Sequence, residues 1–368
     1  MIVAIDAREL SGRPTGVGRY LAELLRAWDE LPPALAHEFA LCSASPVETP
    51  PLPRLNTSRH VAPGGGPWWE QRALPRLAAR AGADVLFAPA YSGPVFPGMP
   101  MVVTIHDVSF AAHPEWFGPR EGVRRRLTTR WAARRARRVL TVSDFSKREI
   151  VRCFGTDPSK IDVVYSGSTP LIAAASDQPV SGSAGPHGMV LFVGSVFARR
   201  HVPELIEGFG RLARRRPAVT LEIVGDNRSR PRLDLDAIVG AHAPDGRVRI
   251  RDYVSDADLG ALYRGASAFA FLSEYEGFGL TPLDALAAGI PIVVLDTEVA
   301  REIYGPAAVY VATPEPALVE AALDAALFDG ETRRRVLDAA PHVLERYSWQ
   351  ESARRTLQVL LAAAGSTA

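Results

Sequence analysis

The stretch "SEYEGFGLTPLDALAAGIPIVVL" (residues 273–295) follows the apolar run "ASAFAFL" (266–272) directly. That run and "PIVVL" (291–295) are typical of buried strands, and the segment between them has the length of a turn and a helix. The stretch therefore predicts a strand, a turn carrying the acid Glu276, a helix and a second strand. In open α/β sheets, ligands bind at the carboxyl ends of the strands, which is where this turn falls.

The turn combines an acid with features that favour an anion. Gly277 and Gly279 permit tight or left-handed backbone, and Pro282 suits the first helical position with Thr281 as the N-cap. The free amides of that helix start attract a phosphate. We expect Glu276 to accept hydrogen bonds from sugar hydroxyls, and a solvated glutamate on a glycine-rich turn is the alternative.

Asp284 lies in the helix that this turn begins. Its spacing from Thr281 is that of a capping box, in which the acid would satisfy the helix start and contact no ligand. Ligand binding and helix capping both stay open for this residue.

The composition is that of an ordinary globular protein with 368 residues, 47% of them apolar and 23% charged. A formal net charge of +1 does not favour nucleic acid as a partner. Cys42 and Cys153 have no metal or redox spacing, which fits a reducing compartment. The first residues lack a signal-peptide pattern and no apolar run is long enough to span a membrane, so we expect a cytoplasmic protein.

Short apolar runs alternate with helix-length amphipathic segments along the whole chain, which predicts two doubly wound α/β domains with parallel sheets and a ligand cleft between them. A Ser-, Gly- and Pro-rich segment separates two such series. The predicted divisions are an N-terminal domain (1–170), a linker (171–188), a C-terminal domain (189–345) and a terminal helix (346–368) that packs back toward the N-terminal domain.

Three further groups of polar residues follow predicted strands. His106 comes after "MVVTI" (101–105) and can contact a sugar or a phosphate, or be a structural histidine bonded to backbone. Arg199 and Arg200 follow "LFVG" and suit a diphosphate, or form a solvated basic pair. Gly16 and Gly18 follow the first strand and indicate an anion-binding turn ahead of a helix, although a lone G-x-G is weak evidence.

Two Asp-x-Asp pairs, at 234–236 and 256–258, resemble metal-binding patterns but fall in predicted helices, where residues two apart do not face each other. We interpret them as surface acids and predict no metal site. The segment 120–138 contains nine arginines and one glutamate and predicts a basic amphipathic helix. Such a helix suits an anionic lipid surface or an anionic acceptor, and a solvated charged face is the alternative.

Taken together, "SEYEGFGLTPLDALAAGIPIVV", "VTIHDVSF", "LFVGSVFARRH" and "RDYVSDADLGALYRGA" resemble the retaining glycosyltransferases of family four, in particular their mannosyltransferase-like members. The resemblance extends from the "GVGRY" loop to "YSWQESARRTL" near the end of the chain. It implies the GT-B fold, with two Rossmann-like domains facing a central cleft. It also implies sugar transfer from a nucleotide diphosphate donor without cofactor or metal.

The resemblance assigns roles by position. Glu276 would hold the donor sugar, Asp284 the ribose, and Arg199 and Arg200 the phosphates, with arginine at position 200 where lysine is usual. The remaining carried-over positions are the active-site His106, the phosphate loop with Gly16 and Gly18, and the donor-facing amides of Phe278, Gly279, Leu280 and Thr281. Asp284 is one methylene shorter than the usual Glu.

The implied donor is GDP-mannose, with a UDP-sugar as the alternative, and the implied acceptor is a glycan or a lipid-linked sugar of a bacterial surface polysaccharide. The implied location is cytoplasmic, with peripheral attachment to the inner face of the cell membrane through 120–138 as a further hypothesis. The departures at Asp284 and Arg200 leave a second class open, a catalytically silent protein that binds nucleotide sugars.

Overall fold

The computed structural model describes residues 1–12, 16–168, 188–243 and 245–365. The chain divides into two compact units, Met1–Gly167 with Tyr347–Ala368 as unit 1 and Ser168–Arg346 as unit 2. Most of the predicted linker 171–188 lies outside the described residues.

Unit 1 contains a parallel sheet whose strand order, over the described residues, is β3-β2-β1-β4-β5-β6-β7. Its strands are β1 Ile2–Asp6, β2 Glu38–Ser43, β3 Asn56–Val61, β4 Val85–Ala88, β5 Met101–Thr104, β6 Arg138–Thr141 and β7 Ile161–Val163. The central strands are buried on both faces, which is why they appear in the sequence as continuous apolar runs. The strand order reverses direction between β1 and β4, and this reversal marks the ligand-binding point of such sheets.

Helices cover this sheet on both faces. They are α1 Gly16–Glu30, α2 Gly66–Trp68, α3 Leu74–Arg80, α4 Ser109–Ala112, α5 Pro119–Arg135, α6 Asp144–Phe154 and, from the end of the chain, α14 Trp349–Ala364. The side chain of Ser348 accepts a hydrogen bond from the Glu351 amide, so α14 begins with the predicted cap. The buried Trp28 indole on α1 donates to the Ala353 carbonyl at 2.9 Å and ties α14 to the unit.

Unit 2 repeats the architecture with a six-stranded parallel sheet, ordered β10-β9-β8-β11-β12-β13 across the described residues. The strands are β8 Met189–Val193, β9 Thr220–Val224, β10 Val248–Arg251, β11 Ala268–Phe271, β12 Ile292–Leu295 and β13 Val309–Val311. The helices are α7 Val202–Arg215, α8 Leu235–His242, α9 Asp256–Gly265, α10 Leu280–Ala287, α11 Glu298–Tyr304, α12 Pro316–Phe328 and α13 Gly330–Leu344. Here the strand order reverses between β8 and β11.

Phenylalanine rings from both strands at this reversal fill the core of unit 2. Phe192 of β8 and Phe271 of β11 stack with ring centroids 5.7 Å apart, and Phe269 stacks on Phe271 at 6.4 Å. The Phe192–Phe271 contact packs β8 against β11, which also pair in parallel. The loops that leave the two strands therefore start from neighbouring strands of the buried sheet.

Candidate active site

Arg200 and Glu276 meet above the strand reversal of unit 2. Arg200 ends a 3-10 turn, Ala198–Arg200, after β8, and Glu276 lies on the loop after β11. Arg200 Nε donates to Glu276 Oε1 at 2.9 Å and Arg200 Nη2 lies 2.8 Å from the same oxygen. The sequence predicted a ligand-binding role for each residue separately and did not predict that they pair.

Ser273 adds a third donor to that oxygen. Its hydroxyl, on a buried residue two positions after β11, lies 2.9 Å from Glu276 Oε1. Three donors thus converge on Oε1, and no described residue donates to Oε2. One carboxylate oxygen is fixed and the other is left to accept from a ligand. No sequence pattern indicated a role for Ser273, although this residue opens the stretch 273–295.

The two arginines are held by different contacts. Arg200 Nη1 donates to the Ser195 carbonyl at 2.9 Å, and its guanidinium lies over the Phe271 ring at 4.8 Å. The Arg199 guanidinium lies 4.3 Å from the Phe197 ring centroid, and the Arg199 carbonyl accepts from the Glu274 amide at 2.9 Å. Both cations of the predicted phosphate site therefore lie on one turn beside Glu276.

The helix after the turn begins earlier than the sequence predicts. α10 starts at Leu280 with Gly279 as its N-cap, so the assignment of Thr281 as N-cap and Pro282 as first helical residue is wrong. Gly279 adopts φ +94°, and a Cβ there would collide with the Tyr304 hydroxyl, which donates to the Gly279 carbonyl at 3.0 Å. Gly277 does not take a positive φ. Leu280 and Thr281 consequently lie in the first turn, where amides have no partner inside the helix.

Asp284 is fully buried, with 0% of its surface exposed. It lies in the second turn of α10, and the helix start has no side-chain cap, so the capping-box interpretation with Thr281 is wrong. Its carboxylate is out of contact with solvent in this structure. Phe278, on the loop before the helix, is also buried.

In unit 1, His106 follows β5 and is held from several sides. Its Nε2 lies 2.8 Å from the Pro89 carbonyl, which can only accept, so Nε2 carries the proton. The rings of Tyr20 and Tyr91 contact it edge-on at 4.8 and 5.4 Å. Burial lowers the pKa of His106, and the Pro89 carbonyl and Asp107 offset this only in part. The imidazole is therefore neutral near pH 7, with Nδ1 left as an acceptor rather than a donor.

Asp107 is anchored beside this ring. It accepts from the Ser109 amide at 2.8 Å and from the Tyr91 hydroxyl at 2.8 Å. Tyr91 adopts φ +62°, a conformation that costs a tyrosine free energy and is held here by these contacts. The structure brings His106 and Asp107 together with the loop after β4.

Gly16 and Gly18 occupy the first turn of α1, so the prediction that they precede the helix is wrong. Gly18 is buried and Gly16 is exposed. Among the described residues, a Cβ on Gly16 would meet no atom within 4 Å.

The two Asp-x-Asp pairs mark helix starts. Asp234 caps α8 by accepting from the Ala237 amide, and Asp236 lies in the first turn. Asp256 and Asp258 lie in the first turn of α9. The described residues contain no group of three or more His, Cys, Asp or Glu that could hold a metal ion.

The arginine-rich segment forms α5 only as far as Arg135, and the prediction of one helix over 120–138 is wrong at its end. Arg138 begins β6 and donates to Asp162 at 2.7 Å, so it belongs to the sheet. On α5, three large apolar side chains four residues apart face solvent, with exposed fractions of 59% for Val123, 51% for Leu127 and 48% for Trp131.

Two family models match this chain. "Glycosyltransferase Family 4" matches residues 14–168, and "Glycosyl transferases group 1" matches residues 175–343. Their boundary falls where the two series of strands meet. The chain belongs to the family-four, group 1 glycosyltransferases, enzymes with the GT-B fold of two Rossmann-like domains.

Curated relatives resemble it at low identity. The O-antigen chain mannosyltransferase B of Escherichia coli is 26% identical over 268 residues, covering 70% of this chain and 68% of that protein. A glycogen synthase of Mycobacterium tuberculosis is 30% identical over 282 residues, covering 75% and 66%. The chain thus spans about two thirds of the length of these relatives.

Solved structures match over the whole chain. Anabaena HepE in complex with UDP and glucose has a TM-score of 0.72 at 17% identity, with 98% of each chain covered. WaaG, a glycosyltransferase of lipopolysaccharide biosynthesis, has a TM-score of 0.73 at 17% identity, covering 98% of this chain and 99% of the other. In the described parts of the chain, no helix has the length and apolar character needed to cross a membrane.

Proposed function

We propose that this protein transfers a hexose from a nucleotide diphosphate sugar to a hydroxyl of a glycan or lipid-linked acceptor, with retention at the anomeric carbon and without a metal. The observation that carries the proposal is the Arg200–Glu276 pair at the strand reversal of unit 2, beside the start of α10. A carboxylate for sugar hydroxyls and cations for phosphates are the two groups that a sugar diphosphate requires.

Glu276 can serve the sugar without leaving Arg200. Oε1 is held by Arg200 and Ser273, so Oε2 can accept from a hydroxyl of the donor sugar. The pair is mostly buried, with 12% of the Arg200 side chain and 20% of the Glu276 side chain exposed. In such surroundings a charge-assisted hydrogen bond is stronger than at an open surface.

Arg200 can likewise serve the diphosphate while it stays paired. A guanidinium has five N–H groups. Those used here are Nε–H and one N–H of Nη2 toward Glu276, and one N–H of Nη1 toward the Ser195 carbonyl. Two N–H groups remain for phosphate oxygens. Arg199 and the first amides of α10 would add to the positive potential.

In the proposed step, the bond between the anomeric carbon and the β-phosphate oxygen breaks, and the acceptor oxygen bonds to the same carbon from the same face. The acceptor proton passes to the departing diphosphate, so no protein nucleophile is needed. The main electrostatic task is to stabilise the charge on the leaving diphosphate, which falls to Arg199, Arg200 and the helix start. His106, neutral with Nδ1 as an acceptor, would accept from a sugar hydroxyl.

GDP-mannose is the proposed donor. The support is that relatives include the E. coli O-antigen mannosyltransferase and an MMP alpha-(1->4)-mannosyltransferase of Mycolicibacterium hassiacum. A UDP-sugar is the second choice, since the HepE structures contain UDP with glucose and UDP-glucose.

A panel of GDP- and UDP-sugars, with nucleotide release measured by mass spectrometry, tests both the activity and the donor. We expect release from GDP-mannose to be the fastest. Binding of a nucleotide sugar with neither hydrolysis nor transfer would instead support a catalytically silent binding protein. The full burial of Asp284, the residue expected to hold the ribose, is compatible with that class.

We also propose that α5 attaches the enzyme to an anionic membrane surface, where a lipid-linked acceptor would be found. One side of α5, roughly one third of its circumference, carries the three exposed apolar side chains Val123, Leu127 and Trp131. The same side carries three exposed arginines, Arg120, Arg124 and Arg134. Apolar side chains amid arginines are the pattern of interfacial helices. Each such arginine contributes about 1 kcal/mol near an anionic membrane.

Co-sedimentation with liposomes tests this attachment. We expect binding to anionic vesicles that weakens with salt, little binding to neutral vesicles, and loss of binding when Arg120, Arg124 and Arg134 become Glu. The matched control is charge reversal of the exposed Arg76 and Arg80 on α3. Equal, negligible binding to both kinds of vesicle would leave α5 as a solvated basic helix.

A further inference from the structure

A second polar cluster lies at the carboxyl edge of the unit 1 sheet, next to the strand reversal. Asp6 ends β1, and Arg8 follows in the turn Arg8–Leu10. Glu70 lies in the π-helical turn Trp69–Ala73, and Ser92 follows β4. None of the four was predicted from the sequence. The signal that would have found Asp6 and Ser92 is the one used for His106, a polar residue just past a buried strand.

Hydrogen bonds join these four residues, here called the Arg8 cluster. Arg8 Nε donates to Asp6 Oδ1 at 2.9 Å, and Nη2 donates to Asp6 Oδ2 at 2.6 Å and to Glu70 Oε2 at 2.9 Å. The Ser92 hydroxyl donates to the same Glu70 oxygen at 2.8 Å. Burial opposes the charge on Arg8, yet Asp6 and Glu70 hold its pKa above the usual range. The guanidinium therefore stays charged.

The cluster adjoins the His106 site through consecutive residues of one loop. Tyr91 contacts the His106 ring and donates to Asp107, and its neighbour Ser92 donates to Glu70. The loop after β4 thus links His106, beyond β5, to Arg8, beyond β1. Through Tyr91 and Ser92, the Arg8 cluster and the His106 site are thus connected across the strand reversal of unit 1.

The charge balance of the cluster is negative. One guanidinium faces two carboxylates, whose side chains are 5% exposed for Asp6 and 9% exposed for Glu70. The Arg8 side chain is 25% exposed, and no described residue accepts from its Nη1 group. Solvent therefore meets a donor, Nη1, in surroundings with an excess of one negative charge.

We infer that the Arg8 cluster binds the acceptor and selects an uncharged sugar over a phosphorylated one. This inference rests on the proposed function and adds the class of acceptor. A sugar hydroxyl can accept from Arg8 Nη1 and donate to a carboxylate or to Ser92, so it satisfies both kinds of group. A phosphate at the same place would meet Asp6 and Glu70, and their two charges outweigh the one cation that could receive it.

The experiment measures nucleotide release from the best donor of the panel, with methyl α-mannoside and α-1,3-mannobiose as neutral acceptors and mannose 6-phosphate as the charged one. We expect only the neutral sugars to stimulate release strongly. Glu70→Gln should raise the KM for the neutral acceptor roughly 10- to 150-fold, the range for a lost hydrogen bond to a charged group. The change in acceptor KM should exceed the change in donor KM.

Two further variants keep the test decisive if Glu70→Gln folds poorly. Ser92→Ala removes a donor to Glu70 and keeps the charge, and should raise the acceptor KM by up to about tenfold. Glu23→Gln is the matched control, since Glu23 is also a nearly buried acid paired with an arginine, Arg26, at 2.6 Å. It should leave both KM values within about twofold.

The outcomes separate the two proposals. Stronger stimulation by mannose 6-phosphate, no stimulation by either neutral sugar, or equal effects of Glu70→Gln on donor and acceptor KM would overturn the acceptor assignment alone. Nucleotide release from no donor would overturn the proposed function and the acceptor assignment with it.

Discussion

The replacement Glu276→Gln should separate recognition of the sugar from recognition of the nucleotide. Glutamine keeps the shape of the side chain but removes the charge that Arg200 and Ser273 hold at Oε1. It also weakens Oε2 as an acceptor for the donor sugar. Losing a hydrogen bond to a charged group costs about 1.5–3 kcal/mol, so we expect kcat/KM for the donor to fall roughly 10- to 150-fold.

Binding of GDP alone should respond differently. GDP has no sugar for Glu276 to hold, and removing a carboxylate beside the phosphate site leaves the charge of Arg200 less compensated. We therefore expect GDP affinity, measured by titration calorimetry, to stay within about threefold or to rise. Donor turnover and GDP affinity should thus diverge.

The matched control is Glu274→Gln, two residues earlier on the same loop. The Glu274 side chain is 43% exposed and pairs with His201 at 2.8 Å instead of with Arg200. It should leave donor turnover within about twofold. A parallel fall of GDP affinity and donor turnover in Glu276→Gln would refute the reasoning, because Glu276 would then act by positioning Arg200.

Four other predictions concern Asp284, His106, His201 and metal dependence. Asp284→Asn should lower the melting temperature by a few degrees, because an NH2 donor replaces an acceptor oxygen at a fully buried position; an unchanged melting temperature with weaker GDP binding would instead indicate a direct ribose contact. Burial lowers the pKa of His106 below its ordinary 6.5, so its contribution to stability is complete above pH 6.5 and is lost as the pH falls. His106→Gln should flatten the acid side of the curve of melting temperature against pH. For His201, burial alone would lower the pKa, but Glu204 and Glu274 together raise it above 6.5. The contribution of His201 to folding stability is therefore complete below pH 6.5 and is lost as the pH rises through the folded-state pKa. His201→Gln should flatten that decline. Sugar transfer should continue in the presence of EDTA. Loss of activity with rescue by manganese or magnesium would instead indicate a metal site, for which the Asp-x-Asp pairs are the candidates.

The central strands could be predicted from the sequence and two edge strands could not. β1, β4, β5, β8 and β11 are buried on both faces and appear as apolar runs. The two strands that the sequence did not predict are β3 Asn56–Val61 and β13 Val309–Val311, which lie at the edges of their sheets. β3 carries the polar sequence "NTSRHV" and is partly exposed, and β13 has only three residues. An edge strand needs no continuous apolar run, so a search for such runs does not find it.

The helix start at Gly279 shows a second limit of local patterns. Thr281 and Pro282 have the usual residue types of an N-cap and a first helical position. The structure begins the helix two residues earlier, where Gly279 takes a left-handed conformation and its carbonyl accepts from Tyr304, 25 residues further along the chain. A hydrogen bond from a distant element decided between two locally acceptable starts.

The pairing of Arg200 with Glu276 depends on topology in the same way. The residues are 76 positions apart, and only the adjacency of β8 and β11 brings their loops together. From the sequence, Glu276 and Arg200 were each predicted to bind a different part of the ligand. In the structure they meet at Glu276 Oε1, and Oε2 of the acid and two N–H groups of the arginine can still bind a ligand. A lysine at position 200 would present a single point charge with three donors, with less capacity to hold Glu276, Ser195 and a phosphate together. Because the planar guanidinium can hold all three, arginine at this position is compatible with donor binding that leaves the ion pair intact.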